Sequence, residues 1–95
     1  MSQWKTVPGS DKGSIRLYAL STCVWCQRTK RLLDRLGVAY SYLDVDLLDR
    51  DERRRVEKEE VARWNPRHSY PTLVIRDAFC ILGFQEEEIE KELGQ

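Results

Sequence analysis

The sequence has little of what would tie it to a membrane, a nucleic acid or an oxidising compartment. No apolar run approaches the ~20 residues that a membrane-spanning helix needs. The N-terminus lacks the basic-then-apolar layout of a secretory signal. Net charge is zero, from 16 basic and 16 acidic side chains. Neither a basic nucleic-acid footprint nor a polybasic membrane patch is therefore indicated. Three cysteines are too few and too unevenly spaced for a secreted disulfide framework. Beyond a close cysteine pair, the zinc-ligand candidates are Cys80 and the single His68, in no standard finger spacing, so no metal site is expected. No repeat or low-complexity block divides the chain. These absences leave a small cytoplasmic domain, expected to be monomeric, whose 34% charged residues suit well-hydrated helix faces.

At 95 residues the chain fits one domain, long enough to bury ~60–70% of its unfolded surface. Residues 1–13 carry Pro8, Gly9 and Gly13 without apolar periodicity. They are expected to form a flexible arm, with Trp4 and Val7 covering an edge, before a single domain over 14–95. Residues 15–20 alternate and predict a strand. Trp25, Thr29, Leu32 or Leu33, and Leu36 then recur at helical intervals, and Gly37 is placed to end that helix. Residues 38–45 predict a second strand, which completes a parallel βαβ unit. Residues 49–64 predict a surface helix. The pairs Asp49–Arg53, Asp51–Arg55 and Glu59–Arg63 sit four apart along it, and its thin apolar stripe of Val56, Val61 and Trp64 is anchored by Trp64. Arg53-Arg54-Arg55 is either a docking patch for an acidic partner or, with acids interleaved, a solvated face. Asn65-Pro66 stops this helix. Residues 73–76 and Phe79–Leu82 predict a hairpin about Asp77-Ala78. A last helix over 85–93 docks through Ile89 and Leu93, with glutamates where the macrodipole favours them.

The chemistry is concentrated in Cys23-Val24-Trp25-Cys26, at the start of the first helix. Two thiols three apart there lie within one turn, and unpaired backbone N–H groups at a helix start favour a thiolate. Cys23, at the cap, is the candidate attacking thiol. Cys26, further in and less exposed, is the candidate resolving thiol. Arg28 and Lys30 are placed to add positive potential, and Trp25 to present an apolar face. Cys80 is expected to be a small buried side chain. Arg67 or His68, in a polar loop, is a candidate for holding an anionic substrate.

Taken with Tyr70-Pro71-Thr72 before the hairpin and Gly83-Phe84 before the last helix, the cysteine motif resembles that of glutaredoxin-like proteins of the thioredoxin superfamily. The resemblance spans residues 15–93. It implies a thioredoxin-like α/β fold, with a four-stranded mixed sheet in the order 2-1-3-4 and three helices. It implies a thiol–disulfide oxidoreductase, with Pro71 as a cis-proline facing the cysteines and Trp25, Arg67, Tyr70, Pro71, Gly83 and Phe84 around the substrate. Leu20 stands where glutathione-using members carry a lysine. Leu82-Gly83-Phe84-Gln85 stands where they carry Gly-Gly, a small residue and an aspartate. The Gly-Phe pair is more like glutaredoxin-like donors recharged by thioredoxin reductase. No bound cofactor is expected, and the reductant is either glutathione or a thioredoxin-reductase-type donor. The partners are a disulfide-containing protein or small molecule, and that reductant. The alternative activity is a module that binds or delivers an iron–sulfur cluster through Cys23 and glutathione.

Overall fold

Strand alternation sets the two sides of this molecule. In a computed structural model, described over residues 3–94, Ile15, Leu17 and Ala19 of β2 (Ile15–Ala19) point to one face and Tyr18 to the other. β4 (Thr72–Ile75) repeats the pattern, with Leu73 and Ile75 on the first face and Val74 on the second. The chain otherwise comprises β1 (Lys5–Val7), α1 (Val24–Leu36), β3 (Tyr40–Asp44), a 3₁₀ turn (Val45–Leu47), a composite helix α2, β5 (Phe79–Leu82) and α3 (Glu86–Leu93). The helix α2 runs on through Arg50–Val56, Glu57–Val61 and Ala62–Trp64, and its middle five residues are wound as π-helix. Helices α1 and α3 cover the first face through Leu32, Leu33, Ile89 and Leu93. Val56 and Val61 of α2 cover the second.

The sheet order is β1-β3-β2-β4-β5. β2 and β3 are parallel, as a βαβ unit requires, and the other neighbours are antiparallel. The four strands after β1 have the expected order 2-1-3-4, as β3-β2-β4-β5, but the sheet has five strands rather than four. The fifth comes from the segment expected to be a flexible arm. Lys5–Val7 pairs with β3, Trp4 packs edge-on against Tyr18 at 5.1 Å, and Ser10 exchanges hydrogen bonds of 2.8 Å with Gly37 and Ala39. A Cβ on Gly9 would lie 2.5 Å from the Val38 carbonyl carbon, so glycine is what lets the arm approach. Three residues are too few to show a period of two, which hid this strand among turn residues. Residues 1, 2 and 95 of the expected arm and domain lie outside the described residues.

Other boundaries move for identifiable reasons. The buried stripe of α1 is Cys26, Thr29, Leu32 and Leu33 rather than one starting at Trp25, which is exposed. Gly37, at φ 71°, closes the helix with N–H bonds to its last turn. The hairpin turns about Arg76 and Asp77, both at positive φ, and the Ala78 N–H closes it onto the Ile75 carbonyl at 3.0 Å. The spacing of five between Val56 and Val61 is out of step with an α-helix but fits i→i+5 winding. Both valines are therefore buried and anchor α2, while Trp64 is half-buried. The expected i,i+4 pairs of that helix are replaced. Asp49 caps the helix, Arg55 pairs with Glu52 and Glu60, and Arg53 pairs with Glu57. No helix among the described residues is long and apolar enough to cross a membrane.

Candidate active site

The cysteine pair sits where β2 hands over to α1, at the end of the sheet. Cys23 is the N-cap of α1, in extended conformation, and its Sγ accepts the Cys26 N–H at 3.2 Å. The cap leaves Cys23 half-buried, whereas Cys26, one turn on, faces the core and is fully buried. Both thiols are free. Burial, then the contact with Cys23, push the Cys26 thiol up to about 12, while a hydrogen bond from the Leu20 backbone and the charge of Lys30 pull the other way. Two like residues three apart thus stand in opposite environments. Lys30 is 2.9 Å from Asp44 and over the Tyr42 ring, so its charge acts on Cys26 partly offset by that carboxylate. Arg28 lies over the Trp25 ring at 4.8 Å.

Two braces hold the turn before Cys23. The Asp46 carboxylate, from the 3₁₀ turn after β3, accepts the Ser21 N–H at 2.7 Å and the Ser21 hydroxyl at 2.5 Å. Burial alone would raise the Asp46 pKa, but these two hydrogen bonds, together with one from its own backbone and the Arg53 charge, outweigh it and hold the carboxyl below its ordinary range. The side-chain amide of Gln27 donates to the Ser21 carbonyl at 3.2 Å.

The opposite wall comes from the loop before β4. The Tyr70–Pro71 peptide bond is cis, and the Pro71 carbonyl accepts the Gly83 N–H at 2.9 Å. Gly83 stands at φ 77°, with nothing closer than 4.0 Å to a Cβ added there, so backbone conformation rather than space calls for glycine. This turn sets Phe84 against Trp25, stacked at 6.0 Å and 26°, over the exposed side of the cysteine motif. Trp25 is 53% exposed, a large apolar surface beside the half-buried sulfur. Cys23, Tyr70 and Phe84 pack on the same core cluster as Cys26. Neither the N–H nor the C=O of Tyr70 finds a hydrogen-bond partner among the described residues. Arg67 and His68 lie on the exposed loop; Arg67 has its N–H on Asn65 at 3.1 Å, and His68 stands at φ 52°. Cys80 lies away from the pair. It is half-buried rather than buried, and its thiol donates to the Trp64 carbonyl at 3.3 Å. Among the described residues, no three His, Cys, Asp or Glu side chains converge to hold a metal ion.

The glutaredoxin family model matches residues 15–80, well over half of the chain. The chain belongs to the glutaredoxin family. It is 31% identical over 77 residues to a glutaredoxin-like 8.6 kDa protein of the rubredoxin operon of Clostridium pasteurianum, covering 81% of this chain and 93% of that one. Among solved structures, the glutaredoxin of Methanosarcina mazei Go1 is 45% identical with a TM-score of 0.87, covering 99% of this chain and 90% of that one. The methanoredoxin of Methanosarcina acetivorans is 47% identical with a TM-score of 0.86, covering 92% and 90%.

Several residues that shape this glutaredoxin site carried no local sequence signal. Asp46 is 25 positions from Ser21, and nothing in either segment marks the pair. Glu57 accepts the Tyr70 hydroxyl at 2.8 Å, which ties the loop before Pro71 to the π-wound turn of α2. Asn65, a helix stop in the sequence, is buried. Its amide donates to the Ser69 carbonyl at 3.0 Å and hydroxyl at 2.8 Å, and to the Thr72 hydroxyl at 3.1 Å. The Asn-Pro pair was a signal for the break but not for this role.

Proposed function

We propose that the chain is a dithiol disulfide reductase in which Cys23 attacks and Cys26 resolves. The observation that carries this reading is the contrast within one turn of α1. A half-buried cap sulfur accepts an N–H, and a fully buried thiol held protonated stands beside it. The Cys23 thiolate attacks one sulfur of a substrate disulfide; that S–S bond breaks, and the departing sulfur takes a proton. Cys26 then loses its proton and attacks the Cys23 sulfur, releasing the second substrate thiol. Two electrons and two protons pass to the substrate, and the protein is left with a Cys23–Cys26 disulfide. Trp25 and Phe84 supply the apolar rim, and the unpaired backbone of Tyr70 offers one donor and one acceptor to an extended substrate chain. Pro71 and Gly83 hold that wall in place.

The reaction needs no bound cofactor. It belongs in a reducing compartment such as the cytoplasm, with a monomer as the working unit. Leu20 and Gln85 replace the groups expected to hold glutathione, which favours a thioredoxin-reductase-type donor as the source of electrons. The test compares turnover with glutathione and its reductase against turnover with thioredoxin reductase and NADPH, for wild type, Cys23→Ser and Cys26→Ser. The expected results are no reduction by Cys23→Ser and an accumulating mixed disulfide in Cys26→Ser. Undiminished activity of Cys23→Ser would sink the reading.

A further inference from the structure

The basic helix α2 looks evenly mixed in sequence but is sorted in space. On the side toward Trp4, Arg55 takes both Glu52 and Glu60 as partners. On the side toward the active site, Arg50, Arg53, Arg54 and Lys58 line an open concavity of about 410 Å³ with His68 and a single carboxylate, Glu57. Glu57 is already engaged, by Arg53 at 3.4 Å and by the Tyr70 hydroxyl at 2.8 Å. Arg50 reaches only Asp51, at 3.8 Å between two almost fully exposed side chains, a contact worth little. Arg54 and Lys58 have no carboxylate partner among the described residues. Four cations thus face one committed anion, in a chain whose net charge is zero.

We propose that this concavity docks an acidic segment of the protein whose disulfide the cysteine pair reduces; the proposal rests on the dithiol reading above. Position supports it. His68, on the groove wall, is two residues from Tyr70, so a substrate strand pairing with Tyr70 reaches the groove within ~7 Å of extended chain. Arg53 joins the two regions, because its charge acts both on Tyr70, in the loop before the cis-proline, and on Asp46, which braces the turn before Cys23. Arg50 and Lys58 are eight residues apart along the helix, ~12 Å of rise. That is room for two or more carboxylates of a peptide, and more than one small anion fills.

The test uses full-length, pre-reduced protein in single turnover, so that no external reductant enters. Its substrates are two synthetic peptides with the same disulfide ring, one flanked by glutamates and one by lysines, together with a small neutral disulfide. At low salt (about 10 mM) the glutamate peptide should react about 10-fold or more faster than the lysine peptide, and the gap should close near 1 M salt. The exposed double variant Arg54→Glu/Lys58→Glu should lose the preference while reducing the neutral disulfide at the wild-type rate. Equal peptide rates in wild type would overturn the proposal, as would a preference that survives in the double variant. A small dianionic disulfide is run as a fourth substrate; if it gains the same advantage over the neutral one as the glutamate peptide has over the lysine peptide, the groove is assigned to small anions and the proposal is overturned. If none of the disulfides is reduced, the dithiol reading itself fails, and the docking proposal with it.

Discussion

Replacing Asp46 by alanine should loosen the turn that presents Cys23 without touching either thiol. The Asp46 carboxylate takes two hydrogen bonds from Ser21, one from backbone and one from hydroxyl, at 2.7 and 2.5 Å. Bonds to a charged acceptor contribute ~1.5–3 kcal/mol each when buried. These are part-buried, so the low end applies, and the second bond to one carboxylate adds less than the first. A combined loss of about 2 kcal/mol follows, which lowers the melting temperature of a domain this size by roughly 8–16 °C. Ser21→Ala removes only the hydroxyl bond and should cost about half as much.

The pH dependence supplies a sharper check. Asp46 has its folded pKa depressed, so its contribution is fully present above the unfolded value of 3.8 and is lost as pH falls through the lower folded value. The gap in melting temperature between wild type and Asp46→Ala should therefore be constant near neutrality and shrink as the solution is taken below 3.8. Circular dichroism melts of the reduced proteins at pH 7 and in acid measure both. A gap under about 2 °C at pH 7 would refute the bracing role, because it implies well under 1 kcal/mol. So would a gap unchanged by acid.

Other outcomes follow from individual side chains. In native reduced protein at neutral pH, iodoacetamide should label Cys23 and leave Cys26 unmodified, since Cys26 is buried and its thiol is pushed up to about 12; peptide mapping showing equal labelling would contradict this. In Cys23→Ala, the pH midpoint for alkylating Cys26 should lie below its wild-type position, because the contact with Cys23 raises it; an unmoved midpoint would leave burial as the sole cause. Gly9→Ala should destabilise the protein by about 1–3 kcal/mol through overpacking, as the added carbon would meet the Val38 carbonyl carbon at 2.5 Å. A urea midpoint equal to wild type would show that the arm moves aside freely.

What was legible in the sequence was what a local period or a local cap encodes. The alternation of Ile15, Leu17 and Ala19, the stop at Gly37, and Ile89 with Leu93 all act within one element, and all are placed as their spacing indicated. The cysteine motif was legible because a helix start and two thiols within one turn are adjacent in sequence. What was hidden depends on a partner elsewhere. Lys5–Val7 becomes a strand only because β3 presents an edge to it. The irregular Val56–Val61 spacing looked like a poor stripe because α winding was assumed, while the buried side chains favoured a wider turn. Charge order along α2 did not predict the ion pairs, because Asp49 was drawn to the cap and Arg55 lies between two glutamates.

On the proposed mechanism, the division of labour between the thiols changes with the reaction itself. Of the influences that raise Cys26, burial is the largest, followed by the hydrogen bond with Cys23 and, lower in order, the charge on Cys23. The two that lower it, the Leu20 backbone and Lys30, do not involve Cys23. While Cys23 is a thiolate, Cys26 is therefore held protonated and does not compete for the substrate. Once Cys23 is bonded to a substrate sulfur, its charge is gone and its acceptor strength falls. Both Cys23-dependent influences weaken together, while the Leu20 hydrogen bond and the Lys30 charge remain. Formation of the mixed disulfide thus eases deprotonation of the thiol that must resolve it. On that mechanism the Cys23–Cys26 contact favours this order of the two attacks, on top of the burial that already keeps Cys26 from the substrate.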